Sequence, residues 1–289
     1  RPFALAPEKT GLGFIRVNGF TVKHVANCFP VPQHGAISTK QGHHWIVENN
    51  VIRQVNGLGL DYGRRQTFLP WEVPSDTPEL GGVGHIIRHN RFIDCGVCSF
   101  SGLGLIGGLV EDNYSRRCGW HQVKSLCEAG GIKLHYLKHV LVQGNIVQDA
   151  VNTQGGLWVD HSIHNTRITR NIIIGTEGSA IYLEASYSPN LIDHNILWDS
   201  DGPGVRLAHS GRATIAHNLI GCCTEEPVRV SPASPEGRMV DKETQRYSCA
   251  RNNSVTGNVF YGFGIRAPKI PNDSYNKNNM SDYNVFVNS

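Results

Sequence analysis

Two short segments of this 289-residue chain end in a carboxylate and carry an aromatic residue two positions before it: Leu157-Trp158-Val159-Asp160 and Ile181-Tyr182-Leu183-Glu184. If both are strands, Leu157, Val159, Ile181 and Leu183 point to one face and Trp158, Asp160, Tyr182 and Glu184 to the other, because successive side chains alternate. Two carboxyl groups sharing a face have a specific chemistry. Retaining cleavage of a glycosidic bond uses a carboxylate nucleophile and a carboxylic acid about 5 to 5.5 Å away, and two like charges that close split their pKa values. Asp160 and Glu184 are therefore the candidate catalytic pair. The same alternation in Ile132-Lys133-Leu134-His135 and Val205-Arg206-Leu207-Ala208 brings Lys133, His135 and Arg206 to that face. With His209, these residues are expected to bond sugar hydroxyls or tune the acids, while Trp158 and Tyr182 offer flat apolar platforms. Asp61, at the end of Gly59-Leu60-Asp61, is read as standing further up the same column, where it can bind substrate or a cation.

Asp160 and Glu184 are 24 residues apart, so the chain must return on itself once per segment to align them. A repeat shows that it does. An apolar residue, two variable residues and an Asn recur as Val47 to Asn50, Ile87 to Asn90, Val110 to Asn113, Val142 to Asn145, Ile168 to Asn171, Ile192 to Asn195, Ile215 to Asn218 and Val255 to Asn258, and Asn284 ends the series. Val17-Asn18-Gly19-Phe20 reads as a degenerate first copy. The Asn-to-Asn spacings are 40, 23, 32, 26, 24, 23, 40 and 26. A floor near 23 with larger excursions describes one coil of fixed path with insertions, and the β-branched, alternating segments argue for strands over helical repeats. The expected fold is all-β: one right-handed parallel β-helix of about ten coils over residues 1–289. Asn suits the turn because it tolerates left-handed backbone, and its amide can bond the Asn of the next coil. The strand after each Asn turn is read as the carrier of the chemical column. Insertions are expected near 64–84, 119–130 and 224–248, walling a groove, and a capping segment or second copy is expected over an end of the stack.

Composition narrows the partners. Lys and Arg total 27 against 24 Asp and Glu, a net charge of +3 without blocks of one sign, so neither nucleic acid nor a membrane surface is expected. No apolar run is long enough to span a bilayer. The eight cysteines are spread through a large chain and read as small buried residues rather than a disulfide scaffold or a zinc site. In His43-His44-Trp45 the two imidazoles are expected on opposite sides of a strand. No metal and no cofactor are expected at the acid pair, and calcium is the one cation left open.

The elements Gly156-Leu-Trp-Val-Asp160 and Ile181-Tyr-Leu-Glu184, followed by Ser188-Pro189-Asn190-Leu-Ile-Asp193-His-Asn195, resemble the catalytic region of glycoside hydrolase family 120, β-helix glycosidases of the β-xylosidase type. The resemblance extends over roughly residues 14 to 200. It implies a retaining glycosidase acting on a plant or algal oligosaccharide or glycoside, with Asp160 as nucleophile and Glu184 as acid/base. Ala185-Ser186-Tyr187-Ser188 follows the Glu where that family carries a polar Asn-His-Gly stretch. Two other readings use the same residues. A polysaccharide lyase or epimerase would conscript Lys133, His135, Arg206 and Asp61 around a uronic acid, and a non-catalytic carbohydrate-binding solenoid would use the acids only to hold its ligand.

Overall fold

The structure is a computed structural model that describes residues 3–27, 34–63, 81–121, 129–151, 154–233, 239–241, 246–247, 249–262 and 264–288. It is a right-handed parallel β-helix with three strand faces per coil. The first face holds ten strands from Arg16–Asn18 to Met280–Asp282, each hydrogen-bonded to its counterpart one coil on. The second also holds ten, from Thr21–Lys23 to Val285–Val287. The third begins with Ile37–Ser38, Leu58–Asp61 and Cys98–Ser101 and continues as a six-stranded run from Leu103–Ile106 through Ile132–Lys138, Gly155–Asp160, Ser179–Glu184 and Val205–Ala208 to Val228–Ser231.

Alternation decides what fills the interior. The central residue of each short first-face strand points inward, giving the buried column Val47, Ile87, Val110, Val142, Ile168, Ile192, Ile215 and Val255. Ile52, Phe92, Val147, Ile173, Leu197, Ile220 and Phe260 do the same from the second face, and Leu134, Val159, Leu183, Leu207 and Val230 from the third. One continuous core results, because each coil buries its apolar residues only against its neighbours.

At the corner between the first two faces, the Asn side chains form an unbroken ladder from Asn50 through Asn90, Asn113, Asn145, Asn171, Asn195, Asn218 and Asn258 to Asn284. Each Nδ2 donates to the next Oδ1 at 2.9 to 3.0 Å. Each Oδ1 also accepts the backbone N–H of the preceding coil's Asn, as Asn145 Oδ1 does from Asn113 N at 3.0 Å. Two details differ from the sequence reading. The left-handed residue is the one before the Asn (Asn49, His89, Asp112, Gly144, Arg170, His194, His217, Gly257), which frees the Asn to turn its amide into the stack. In the first copy, Asn18 pairs with Glu48, so Phe20 takes the ladder position and donates its N–H to Asn50 Oδ1 at 2.9 Å.

Other expectations are also revised. The column of polar residues lies on the third face, not on the strand directly after the Asn turn. Of the insertions, 64–80, 122–128, 234–238 and 242–245 lie outside the described residues. Within the span expected as the last insertion, Val228–Ser231 is the next rung of the third face, paired with Val205–Ala208. Cys95, Cys98, Cys118 and Cys249 are buried free thiols, but Cys222 is exposed because it occupies a left-handed turn (φ 53°) past the strand end. His43 and His44 are not on opposite sides either; His44 has φ 52° and the two Nδ1 atoms stand 2.8 Å apart.

The ladder makes a quantitative prediction. Asn145→Leu removes the acceptor for both Asn113 N and Asn113 Nδ2 in a buried setting, so urea denaturation should show a loss of roughly 2 to 4 kcal/mol. A loss below 1 kcal/mol would mean the ladder follows the fold without stabilising it.

Candidate active site

Strand pairing puts the candidate residues into two rows across the third face. Lys133, Trp158, Tyr182, Arg206 and Arg229 are successive register partners, and beside them run His135, Asp160, Glu184, Ala208 and Ser231. Asp160 and Glu184 are thus direct neighbours on adjacent rungs, whose backbones lie about 4.8 Å apart. Both point away from the core, yet they are only 5% and 8% exposed, and Lys133 is fully buried. The face is therefore enclosed rather than a solvated exterior.

Enclosure gives the first row an unexpected role. Trp158 and Tyr182 stack on each other with centroids 5.3 Å apart and planes 20° from parallel. Lys133 Nζ sits 2.8 Å from the centre of the Trp158 ring, and the Arg206 guanidinium lies 4.8 Å from the centre of the Tyr182 ring. Rings one rung apart are already at stacking distance, so they cover one another and the end cations cover what is left. Trp158 and Tyr182 consequently do not offer the open platforms the sequence suggested, and Arg206 is occupied as a lid on Tyr182. Trp158 Nε1 and Arg206 Nε are buried with no hydrogen-bond partner among the described residues.

Around Asp160 the second row assembles cationic and imidazole groups. Oδ2 accepts a hydrogen bond from Lys133 Nζ at 3.2 Å and lies 3.7 Å from His135 Nδ1, while Oδ1 lies 2.6 Å from His161 Nδ1. Burial by itself would raise the Asp160 pKa, but the Lys133 charge and the two imidazoles outweigh it and hold the carboxyl well below the usual carboxylate range. Asp160 is ionised at any ordinary pH. Tyr182 is pushed the other way, above the usual phenol range, first by burial and then by the negative charge of Glu184.

His161 escaped the sequence reading. It follows Asp160 directly, so strict alternation would turn it into the core. A left-handed backbone (φ 59°) instead swings its ring back beside the carboxylate. The same corner position holds Ala185 one coil on and half-buried His209 on the coil after that, so the small Ala185 stands between two histidines beside Glu184. Nothing in the hydrophobic pattern marks a turn that begins one residue after the acid.

Asp61 pairs with Ser101 and lies on the same side of the face, but nearer the start of the stack than His135. Its carboxyl accepts bonds from Ser38 Oγ and Gly63 N, both at 3.1 Å, and burial raises its pKa to about 7 despite these bonds. Asp61 is thus a buried carboxyl held by two donors, divided near neutral pH between its neutral and charged forms. His135, Asp160 and His161 have the donor types of a metal site and their ligand atoms lie within 4.8 Å of one another. Lys133 already supplies the positive charge at Oδ2, so a divalent ion there would have to share that oxygen with a fixed ammonium.

This arrangement predicts a pH-dependent stability defect. Lys133→Met leaves the buried Asp160 charge without its main partner and should cost roughly 3 to 5 kcal/mol near pH 7. In the wild type the lowered pKa contributes stability that is present above the ordinary carboxylate pKa and lost as pH falls through the folded value. In the variant Asp160 protonates more easily, so the gap between the two proteins should narrow in urea melts at pH 4. A gap that does not change with pH would show that Lys133 acts by packing alone.

Several solved structures share this coil path. The chain superimposes on the complex of XylC with xylose at a TM-score of 0.67 and 18% identity, over 99% of this chain and 54% of that one. The GH136 lacto-N-biosidase from Eubacterium ramulus matches at 0.57 and 13%, over 97% and 44%, and a double mutant of the periplasmic alginate epimerase AlgG at 0.51 and 12%, over 95% and 69%. The chain thus spans about half the length of the first two, and at these identities the likeness is one of fold. No curated protein sequence matches it significantly. Residues 15–220 match the model of the right handed beta helix region, and on that match the chain belongs to the right-handed β-helix family.

Proposed function

We propose that this protein is a retaining glycoside hydrolase acting on an oligosaccharide or glycoside, with Asp160 as nucleophile and Glu184 as general acid/base. The observation that carries the reading is the register of Gly155–Asp160 against Ser179–Glu184, which makes the two carboxyl groups neighbours on adjacent rungs. A separation set by one rung suits direct attack; an inverting pair stands about 6.5 to 9.5 Å apart to admit a water. Their surroundings divide the labour. Asp160 is kept ionised by Lys133, His161 and His135, as a nucleophile requires. Glu184 has Ala208 as its other row neighbour, and its negative charge acts on the Tyr182 phenol.

In the first step Glu184 gives its proton to the leaving glycosidic oxygen while Asp160 attacks the anomeric carbon. In the second, Glu184 takes a proton from water, which displaces Asp160 and releases the sugar with its original anomeric configuration. The fold-level likeness to XylC and to a lacto-N-biosidase supports the carbohydrate class, as does the resemblance of the Trp158 to Glu184 region to family 120. A β-xyloside is the first substrate to try.

The test is a screen on chromogenic glycosides, with the configuration of the first-formed product followed by NMR. Retention is expected, with Asp160→Asn lowering turnover by about 10⁴-fold or more and azide restoring part of the rate in Glu184→Ala. Inversion, or an unsaturated product absorbing in the ultraviolet, would contradict the proposal.

A further inference from the structure

After Glu184 the chain rounds a corner through Ala185 and Ser186 to Tyr187, which opens the first-face strand Tyr187–Asp193. Tyr187 is the third residue after Glu184, so their Cα atoms are no more than about 11 Å apart. At that corner Tyr187, Pro189, Arg212, Arg251, Asn252 and Tyr275 line an open groove with a volume of about 890 Å³. It runs from the Glu184 coil toward the end of the stack, because Tyr187 pairs with Gly211 and Arg212 N donates to Arg251 O on the following coil.

The groove's lining is aromatic and cationic. A Cβ on Gly211 would fall 2.6 Å from the Tyr187 ring, so the absence of a side chain there is what lets the ring lie across the corner. Asn252 Nδ2 donates to Tyr187 Oη at 3.0 Å and orients that hydroxyl. The Arg251 guanidinium lies 4.6 Å from the centre of the Tyr275 ring. Arg212 is exposed, held at φ 60°, and its guanidinium forms no ion pair with a described residue. The acid close to Arg251 is Asp273, whose carboxylate accepts bonds from Tyr275 N and Asn276 N at 2.8 and 2.7 Å. Among the described residues, the Arg212 and Arg251 guanidinium groups thus stand with the Asp273 carboxylate near the Tyr187 and Tyr275 rings.

We propose that this groove is a subsite for an acidic sugar, so that the preferred substrate is a glycan bearing a uronic acid next to the bond that is cleaved. The inference rests on Asp160 and Glu184 being the reacting pair, since Tyr187, three residues after Glu184 on the same coil, is what links the groove to the scissile position. Tyrosine rings supply apolar surface for the pyranose ring, and an arginine fork matches a planar carboxylate with two parallel hydrogen bonds. Arg212 is the residue free to do so.

Binding is measured on Asp160→Asn, which holds ligand without consuming it, by calorimetry with di- and trisaccharides of glucuronic or galacturonic acid and with their carboxyl-reduced counterparts. The acidic probes should bind roughly tenfold tighter or better. Adding Arg212→Asn, which keeps a residue suited to the left-handed backbone, should shrink that preference to twofold or less, and Arg212→Lys should recover part of it. The absence of a preference for the acidic probes, a preference indifferent to Arg212→Asn, or equal competition by inorganic sulfate would overturn the assignment. A wild-type chain that shows the preference but hydrolyses no glycoside would instead sink the catalytic reading and leave the groove as an acidic-sugar site.

Discussion

The structure depends on one constraint: parallel strands on consecutive coils must stay in register at about 4.8 Å. Backbone hydrogen bonds set the distance, and the ladder from Asn50 to Asn284 sets the phase at the same corner of every coil. A slip by one residue would send Val159 and Leu183 outward and bring Asp160 and Glu184 into the core. The polar row and the ring stack are both consequences of that phase. Asp160 neighbours Glu184 for the same reason that Trp158 neighbours Tyr182.

Register also explains why two similar acids have different surroundings. Along the row the order is His135, Asp160, Glu184, Ala208, so Asp160 has an imidazole on its far side and Glu184 a methyl group. Lys133, two residues back on the adjacent rung, completes the asymmetry by reaching Asp160 across the Trp158 ring. A buried lysine is costly unless it is paired, and here the carboxylate and the ring face together take its charge.

Much of this was legible in the residues, for a physical reason. Asn periodicity reports the coil, alternation reports inside and outside, and together they align Asp160 with Glu184. What alternation cannot report is a residue in left-handed backbone, since such a residue breaks the two-residue period. That hides His161 from the pattern, and it turns His44 away from the side that alternation predicts. Burial was hidden too. Pattern shows that Lys133, Trp158 and Tyr182 leave the core, but not that rung spacing makes them cover one another. The first ladder position deceived in a third way, because Phe20 fills it through its backbone N–H alone while Asn18 stands two residues away.

The claim on which the functional account turns is that Asp160 forms a covalent bond with the sugar. Incubating the protein with an activated 2-deoxy-2-fluoro glycoside of a sugar it cleaves, then mapping the trapped adduct by peptide mass spectrometry, tests this directly. The account predicts a single stable glycosyl ester on the peptide containing Asp160, and none in Asp160→Asn. An adduct on Glu184, or complete turnover of the fluoro sugar without any adduct, would contradict it.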